Sequence, residues 1–435
     1  MQADLETLGV LERRLSVSLP AAEIDSEVEN RLKRLSRTVR MHGFRPGKVP
    51  LKVVTQHYGP QVRQEVLGDA MQRSFGEAVR QQNLKVAGYP TFEPKPVAEG
   101  AAEFHYSATF EIYPEVKVGD IRPAVIERPL LEMSDADVEN TVEIMRKQRA
   151  RYEPVTRAAR EGDRATLDFR GTIDGAGFQG SSGADQVVVL GEHRLLPDFE
   201  GNVIDMKPGE SKAFNVRFPD DYHGREVAGK TARFEVTVKA IAEPHLPAVD
   251  AEFAKSLGVP DGDLAKMRAE VRANVEREVK SKVRSRIRDQ VMQALLDATR
   301  LEPPRSLVQM EIRNMQASAR QELAARGVQV PDDAPLPSDV FEQQARRRVS
   351  LGLIFSELVK LHNLYPKPEQ VRALVEEQAQ SYERPAEVVK WFYASPERLR
   401  EIESAALEDN VVAWALGVAK VVDKQVDFDE LMGRR

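Results

Sequence analysis

The chain is 435 residues long, 41% hydrophobic and 30% charged, with a formal net charge of -6. Against the usual ~45–50% apolar content this is a polar chain with much surface for its size, elongated or open, and its length suggests about three domains. It has no cysteine, which excludes a disulfide framework and thiolate chemistry.

Met1 to Val10 carries no basic stretch followed by an apolar core, so no signal peptide is expected. The longest apolar run, Val411 to Ala419, is far short of the ~18 residues that span a bilayer. A cytoplasmic protein with no membrane contact is the expectation. From Gly9 to Leu19 apolar residues alternate loosely, which predicts a strand ending at Pro20. Ile24, Val28, Leu32, Leu35 and Val39 then fall at steps of three and four, one face of a helix over 21–41. Gly43, Pro46, Gly47 and Pro50 break it. A second helical pattern resumes near Pro60, with Val62, Val66, Leu67, Ala70 and Phe75. Extended segments follow at Val86 to Val97 and at Glu103 to Val116, the latter in strict alternation. Residues 1–116 read as an α+β domain with a helix-loop-helix tip.

Residues 117–150 read as a connector packing with the C-terminal domain, with Ser134 as the cap of a helix carrying Val138, Val142 and Met145. Residues 151–245 read as a small antiparallel sheet on one short helix. Leu167-Asp168-Phe169 opens a period-2 run, Asp174-Gly175 is a hairpin turn, Val187 to Leu190 a buried-type strand, and 195–200 a short helix. Two further alternating runs, Phe214 to Phe218 and Phe234 to Val238, close it. Residues 246–435 read as helical almost throughout. The pattern is broken at Pro303-Pro304, at Gly327, by a Pro/Asp-rich loop from Val330 to Ser338 and at Pro366 and Pro368, with further helices to the end. Met267, Val271, Val275, Val279, Val283, Ile287, Val291 and Leu295 repeat every four residues. At ~100° per residue that stripe winds round its helix, so no single partner surface can cover it. Antiparallel arms with partly open apolar faces fit better than a closed bundle. Trp391-Phe392-Tyr393 reads as a packing cluster.

The residues that stand out lie between Arg31 and Lys52. Arg31, Lys33, Arg34, Arg37, Arg40, Arg45, Lys48 and Lys52 are basic and nothing in that window is acidic. A cationic prong on an acidic chain points to a polyanionic partner, nucleic acid first; an ordinary solvated turn is the other reading. Gly47-Lys48 is not a phosphate-binding loop, because Val49 stands where Ser or Thr is needed.

Gly43-Phe44-Arg45-Pro46-Gly47-Lys48-Val49-Pro50 resembles the GFRxGKxP signature of the trigger factor family of ribosome-associated bacterial chaperones. The resemblance implies docking on a ribosomal protein and adjoining RNA of the large subunit near the exit tunnel, through Gly43, Phe44, Arg45, Pro46, Gly47 and Lys48. Phe44 would be the apolar anchor, and Arg45 and Lys48 would meet phosphates or acidic side chains. Residues 151–245 resemble an FKBP-type peptidyl-prolyl isomerase domain. By that resemblance Phe169, Phe178, Leu195, Leu196, Phe199, Tyr222 and Phe234 form the proline pocket, and Gln179 stands where simpler members carry Asp.

Such chemistry needs neither nucleophile nor metal, only an aromatic cup that accepts a twisted amide across a barrier of ~18–20 kcal/mol. An aromatic sheet core without catalysis is the plainer alternative. A metal site around His223 lacks paired histidine spacing. The family resemblance implies an ATP-independent chaperone for nascent polypeptides with no cofactor and no metal, and leaves open a homodimer when free. Two rivals remain: a free-standing FKBP-type foldase with a helical dimerisation domain, and an RNA-binding protein with an inactive isomerase-like domain. The expected fold is multidomain α+β, with an α+β ribosome-binding domain, an FKBP-like β domain and an all-α C-terminal domain with helical arms.

Overall fold

Alternation of side chains on a pleated strand sets the first layer. In β2 (Glu12–Pro20), Leu15, Val17 and Leu19 are buried on one face. β1 (Gln2–Thr7) pairs with it antiparallel. The computed structural model describes residues 2–42, 44, 48–95, 102–178, 180–192, 194–222, 224, 226–328, 331, 336–380, 382 and 384–433. It divides into two units, Met1–Arg128 with Ser285–Lys424 and Pro129–Arg284 with Gln425–Arg435.

In the first unit, α1 (Ala21–Thr38) and α2 (Leu51–Gln81) bury Ile24 and Leu32, and Val54, Val62, Val66 and Phe75. They pack on a four-stranded sheet completed by β3 (Val86–Pro94) and β4 (Glu103–Ile112), in the order β1-β2-β4-β3. Tyr106 of β4 is fully buried; its hydroxyl shares a 2.7 Å hydrogen bond with Ser74 Oγ and donates to the Met71 carbonyl at 3.1 Å. The second helix begins after Pro50 and passes through Pro60, whereas the sequence pattern began near Pro60. A proline inside a helix costs ~3 kcal/mol or more, and the burial of Val54, four residues into α2, favours the longer helix. β1 escaped the sequence reading because Gln-Ala-Asp-Leu-Glu-Thr offers one large apolar residue. β5 (Val125–Leu130) follows, inside the segment read as connector.

The second unit holds α3 (Asp135–Gln148), β6 (Arg151–Val155), β7 (Arg164–Thr172), β8 (Ser182–Val189), α4 (Pro197–Val203), β9 (Ser211–Arg217), β10 (Thr231–His245) and α5 (Ala251–Ser256). Ser134 caps α3 in a reciprocal box with Asp137, which satisfies two otherwise orphaned backbone donors. β10 is the spine of the sheet: β7 pairs along one edge, β9 and β6 share the other, and β8 pairs with β7. Val187, read as part of a buried strand, is exposed because β8 is an edge strand.

α6 (Leu264–Ala298) explains the winding stripe. Met267, Val271 and Val275 pack with Val138, Val142, Phe253 and Phe428 in the second unit, and Ile287, Val291 and Leu295 are buried in the first. Between them Val279 and Val283 are half-buried. α7 (Arg305–Ala325) and α8 (Ser338–His362) share a small core of Val308, Ile312, Met315 and Ala345. α9 (Pro368–Ala379), α10 (Pro385–Tyr393) and α11 (Pro396–Val418) share another around Val375, Phe392 and Ile402. Of the cluster at 391–393 only Phe392 is buried; Trp391 and Tyr393 are exposed, with the Arg398 guanidinium 3.8 Å over Trp391. Helices do not run unbroken to the end: β11 (Lys420–Gln425) pairs with β5 before α12 (Phe428–Met432). The pattern hid β11 because five of its six residues are exposed.

One buried ion pair braces the second unit. Asp163, with a side chain only 2% exposed, takes two hydrogen bonds from Arg157 at 2.5 and 2.9 Å and one from the Arg160 N–H at 2.9 Å. Arg157 also reaches Glu243 of β10 at 3.0 Å. Burial alone would push the Asp163 carboxyl up; the Arg157 hydrogen bonds, the Arg160 N–H and both positive charges outweigh it and hold it below its ordinary value. A depressed folded value stabilises above the unfolded value of about 3.9, and that contribution is lost as pH falls through the folded one. Asp163→Asn should lower the thermal midpoint of this unit by roughly 5–10 °C at pH 7. The gap to the parent should narrow between about pH 5 and pH 3; calorimetry finding a constant gap would remove the carboxylate charge from the account.

Candidate functional site

The concave face of the β6–β10 sheet holds a cavity of about 960 Å³. Phe169 enters from β7, Phe234 from β10 and Phe199 from α4. Phe178 comes from the turn after the Ile173–Ala176 bridge, Leu195 and Leu196 from the loop before α4, and Tyr222 from the loop after β9. All seven residues picked out in the sequence line this one cavity. Phe218 and Val227, not picked out, line it too. The rings meet mostly edge to face: Phe199–Phe234 at 5.3 Å, Phe169–Phe199 at 5.9 Å, Phe178–Phe218 at 5.8 Å and Phe218–Tyr222 at 4.8 Å. This geometry suits the quadrupoles of the rings and stiffens the walls.

Two glycines make the cup hollow. Gly171 of β7 lies directly opposite Phe234 of β10, and Gly183 of β8 opposite Phe169 of β7. A Cβ at Gly171 would come within 2.6 Å of Phe234 Cε1, and one at Gly183 within 2.8 Å of Phe169 Cε1. Each ring therefore leans over a strand neighbour that has no side chain. Ser181 steadies the wall: its Oγ accepts from the Phe178 N–H at 3.2 Å and its N–H donates to the Phe178 carbonyl at 3.0 Å. Neither glycine stood out in the sequence, although a glycine inside a strand marks a close approach.

The cup's chemistry is that of an apolar enclosure with a polar edge. A planar amide is stabilised by charge separation across O–C–N, which water supports and an aromatic cup does not. Arg194 and Glu226 stand at the mouth. Among the described residues there is no group of three or more His, Asp or Glu that could hold a metal ion. Gln179 and His223 lie outside the described residues.

In the first unit the basic prong keeps most of its charge. Arg31 pairs with Asp69 at 2.8 Å and Lys33 with Glu29 at 2.5 Å. Arg34, Arg37, Arg40, Lys48 and Lys52 are exposed, with no ion pair among the described residues. Phe44 is 39% exposed and Val49 is buried in the helix-pair core. Gly43, Arg45, Pro46 and Gly47 lie outside the described residues. The first turn of α2 has no acidic residue, so the positive end of its dipole adds to the local field. No helix among the described residues is long and apolar enough to cross a membrane.

Three family profiles match the chain: "Bacterial trigger factor protein" over residues 1–145, the trigger factor C-terminus over 263–417, and the FKBP-type peptidyl-prolyl cis-trans isomerase over 155–239. The chain is 56% identical over 435 residues to the trigger factor of Nitrosospira multiformis, covering 100% of both chains. It is 52% identical over 434 residues to that of Laribacter hongkongensis, again covering 100% of both. A solved trigger factor chaperone structure is 17% identical, with a TM-score of 0.47 over 96% of this chain and 99% of that one.

Gly171→Ala should cost about 1–3 kcal/mol, the usual penalty of overpacking, and should shift the ring resonances of Phe234 and Phe199. Unchanged ring resonances would show that the missing Cβ is not what lets Phe234 lean.

Proposed function

The chain belongs to the trigger factor family, and from that premise we propose that its basic tip docks it on protein and RNA of the large ribosomal subunit beside the exit tunnel. The protein is a ribosome-associated, ATP-independent chaperone that binds nascent polypeptides and catalyses cis-trans isomerisation of X-Pro bonds. The charge on the prong carries the docking proposal. Five exposed cations without acidic partners among the described residues flank a half-exposed Phe44, a pattern suited to phosphates and acidic side chains around an apolar anchor. We assign this docking to Gly43, Phe44, Arg45, Pro46, Gly47 and Lys48, and cytoplasmic residence with it.

The isomerase site is the cup of Phe169, Phe178, Leu195, Leu196, Phe199, Tyr222 and Phe234. The proline ring of a client enters the cup, water leaves its amide, and the twisted form loses part of its disadvantage relative to the planar one. The Tyr222 hydroxyl holds the client carbonyl during rotation. Residues 1–116 then serve docking, 117–150 connection, 151–245 isomerisation and 246–435 client holding. Localising both activities raises their effective concentration where new chain emerges, and isomerisation unaided takes tens of seconds or more.

Phe44→Ala/Arg45→Ala/Lys48→Ala should reduce co-sedimentation with ribosomes by at least about tenfold near 0.1 M salt, and parent binding should fall steeply with added salt. Co-sedimentation unchanged in the triple variant would instead favour a free-standing foldase.

A further inference from the structure

We propose that Glu200 is a positioning residue of the isomerase, tying together the two ends of the 191–196 loop and so fixing the Leu195–Leu196 wall of the cup. The proposal rests on the reading of that cup as the isomerase site. Glu200 follows Phe199 in α4 and is only 4% exposed, an uncommon place for a carboxyl group. Its Oε2 accepts from the Gly191 N–H at 3.1 Å and its Oε1 from the Leu195 N–H at 3.3 Å. Its own N–H donates to the Leu196 carbonyl at 3.0 Å. One residue thus holds the loop where it leaves β8 and where it enters α4.

Little else does. The Glu192 N–H reaches the Val189 carbonyl only at 3.4 Å, and the Arg194–Glu192 ion pair is solvent-exposed, a kind of contact worth little. α4 has no side-chain cap from its own N-cap residue, Leu196. The start of the loop requires glycine, since Gly191 has φ +89° and a Cβ there would come within 2.5 Å of Glu161 Cγ. The far end carries Leu195 and Leu196, which line the cavity together with Phe199 and Phe234, and the Glu200 side chain holds the backbone of the first of them. Displacement of such a wall by ~1 Å is enough to cost a large factor in rate. A glutamine at 200 keeps the volume and one acceptor but turns an N–H2 toward the second backbone donor, so it should hold one end of the loop only.

In the full chain, assayed with a proline-containing peptide at a temperature where all variants are folded, Glu200→Ala should lose roughly 10–100-fold in kcat/KM. Glu200→Gln should fall between it and the parent. Most of the loss should lie in KM, because the leucine wall touches substrate and transition state alike. Amide exchange at Gly191 and Leu195 should quicken while that of β10 stays slow. Phe178→Leu, which alters the cup itself, separates the two readings. If it loses activity while both Glu200 variants stay within twofold of the parent, Glu200 has no positioning role and the cup reading survives. If Phe178→Leu keeps full activity, the cup reading fails and this proposal with it. A Glu200→Gln chain that does not fold would assign the residue to stability alone and overturn the proposal.

Discussion

The ring of Phe234 leans across a backbone position that has no side chain, and the cup exists because of that. Facing residues on neighbouring strands have Cβ atoms ~5 Å apart, so a side chain at Gly171 would prop the ring upright and fill the hollow. With Gly171 opposite Phe234 and Gly183 opposite Phe169, two large rings lie low and the sheet stays concave. β10 holds the position of Phe234 firmly, since it is paired along both edges. An aromatic sheet without those glycines is a packed core; with them it is a receptacle.

The prong works by the opposite logic. Most of its cations are not matched by acids as they would be on an ordinary solvated face; Arg31 and Lys33 are the exceptions among the described residues. Asp25, Glu27, Glu29 and Asp69 neutralise Arg63, Arg31 and Lys33, all on the helices. Arg34, Arg37, Arg40, Lys48 and Lys52 carry no such pairs among the described residues. Attraction of that kind is long-ranged and salt-sensitive, suited to a tether that must release. In the proposed reading the aromatic cup acts instead by contact and exclusion of water. Neither device consumes a nucleotide.

Long-range capping holds the first unit together. α7 has no side-chain cap from its own N-cap residue, Pro304; Glu111 of β4 supplies one instead, accepting from the Arg305 and Ser306 N–H groups at 3.1 and 2.6 Å. The Ser306 hydroxyl donates to the Ala87 carbonyl at 2.9 Å, beside the β-bulge at Gly88, where a Cβ would lie 2.6 Å from Ser306. A carboxylate at a helix N-terminus satisfies orphan donors and suits the dipole. These contacts fasten the sheet of the first hundred residues to a helix two hundred residues later in the chain.

Local chemistry was enough to read the helix face of α1, the Ser134 cap of α3, the alternation of β4 and β10 and the charge of the prong, because each depends on residues a few positions apart. The seven cup residues were legible through a family signature, and the sequence by itself had no means of placing them round one cavity. Gly171, Gly183, Ser181 and Glu200 matter through strand register and loop closure, which pair residues with no local pattern in common. The same limit hid β1, β5 and β11, whose partners lie elsewhere in the chain and whose exposed faces lack a clear period. It set α2 running through Pro60 as well. Propensity is a matter of the nearest few residues, whereas burial is decided by whatever the rest of the chain brings against them.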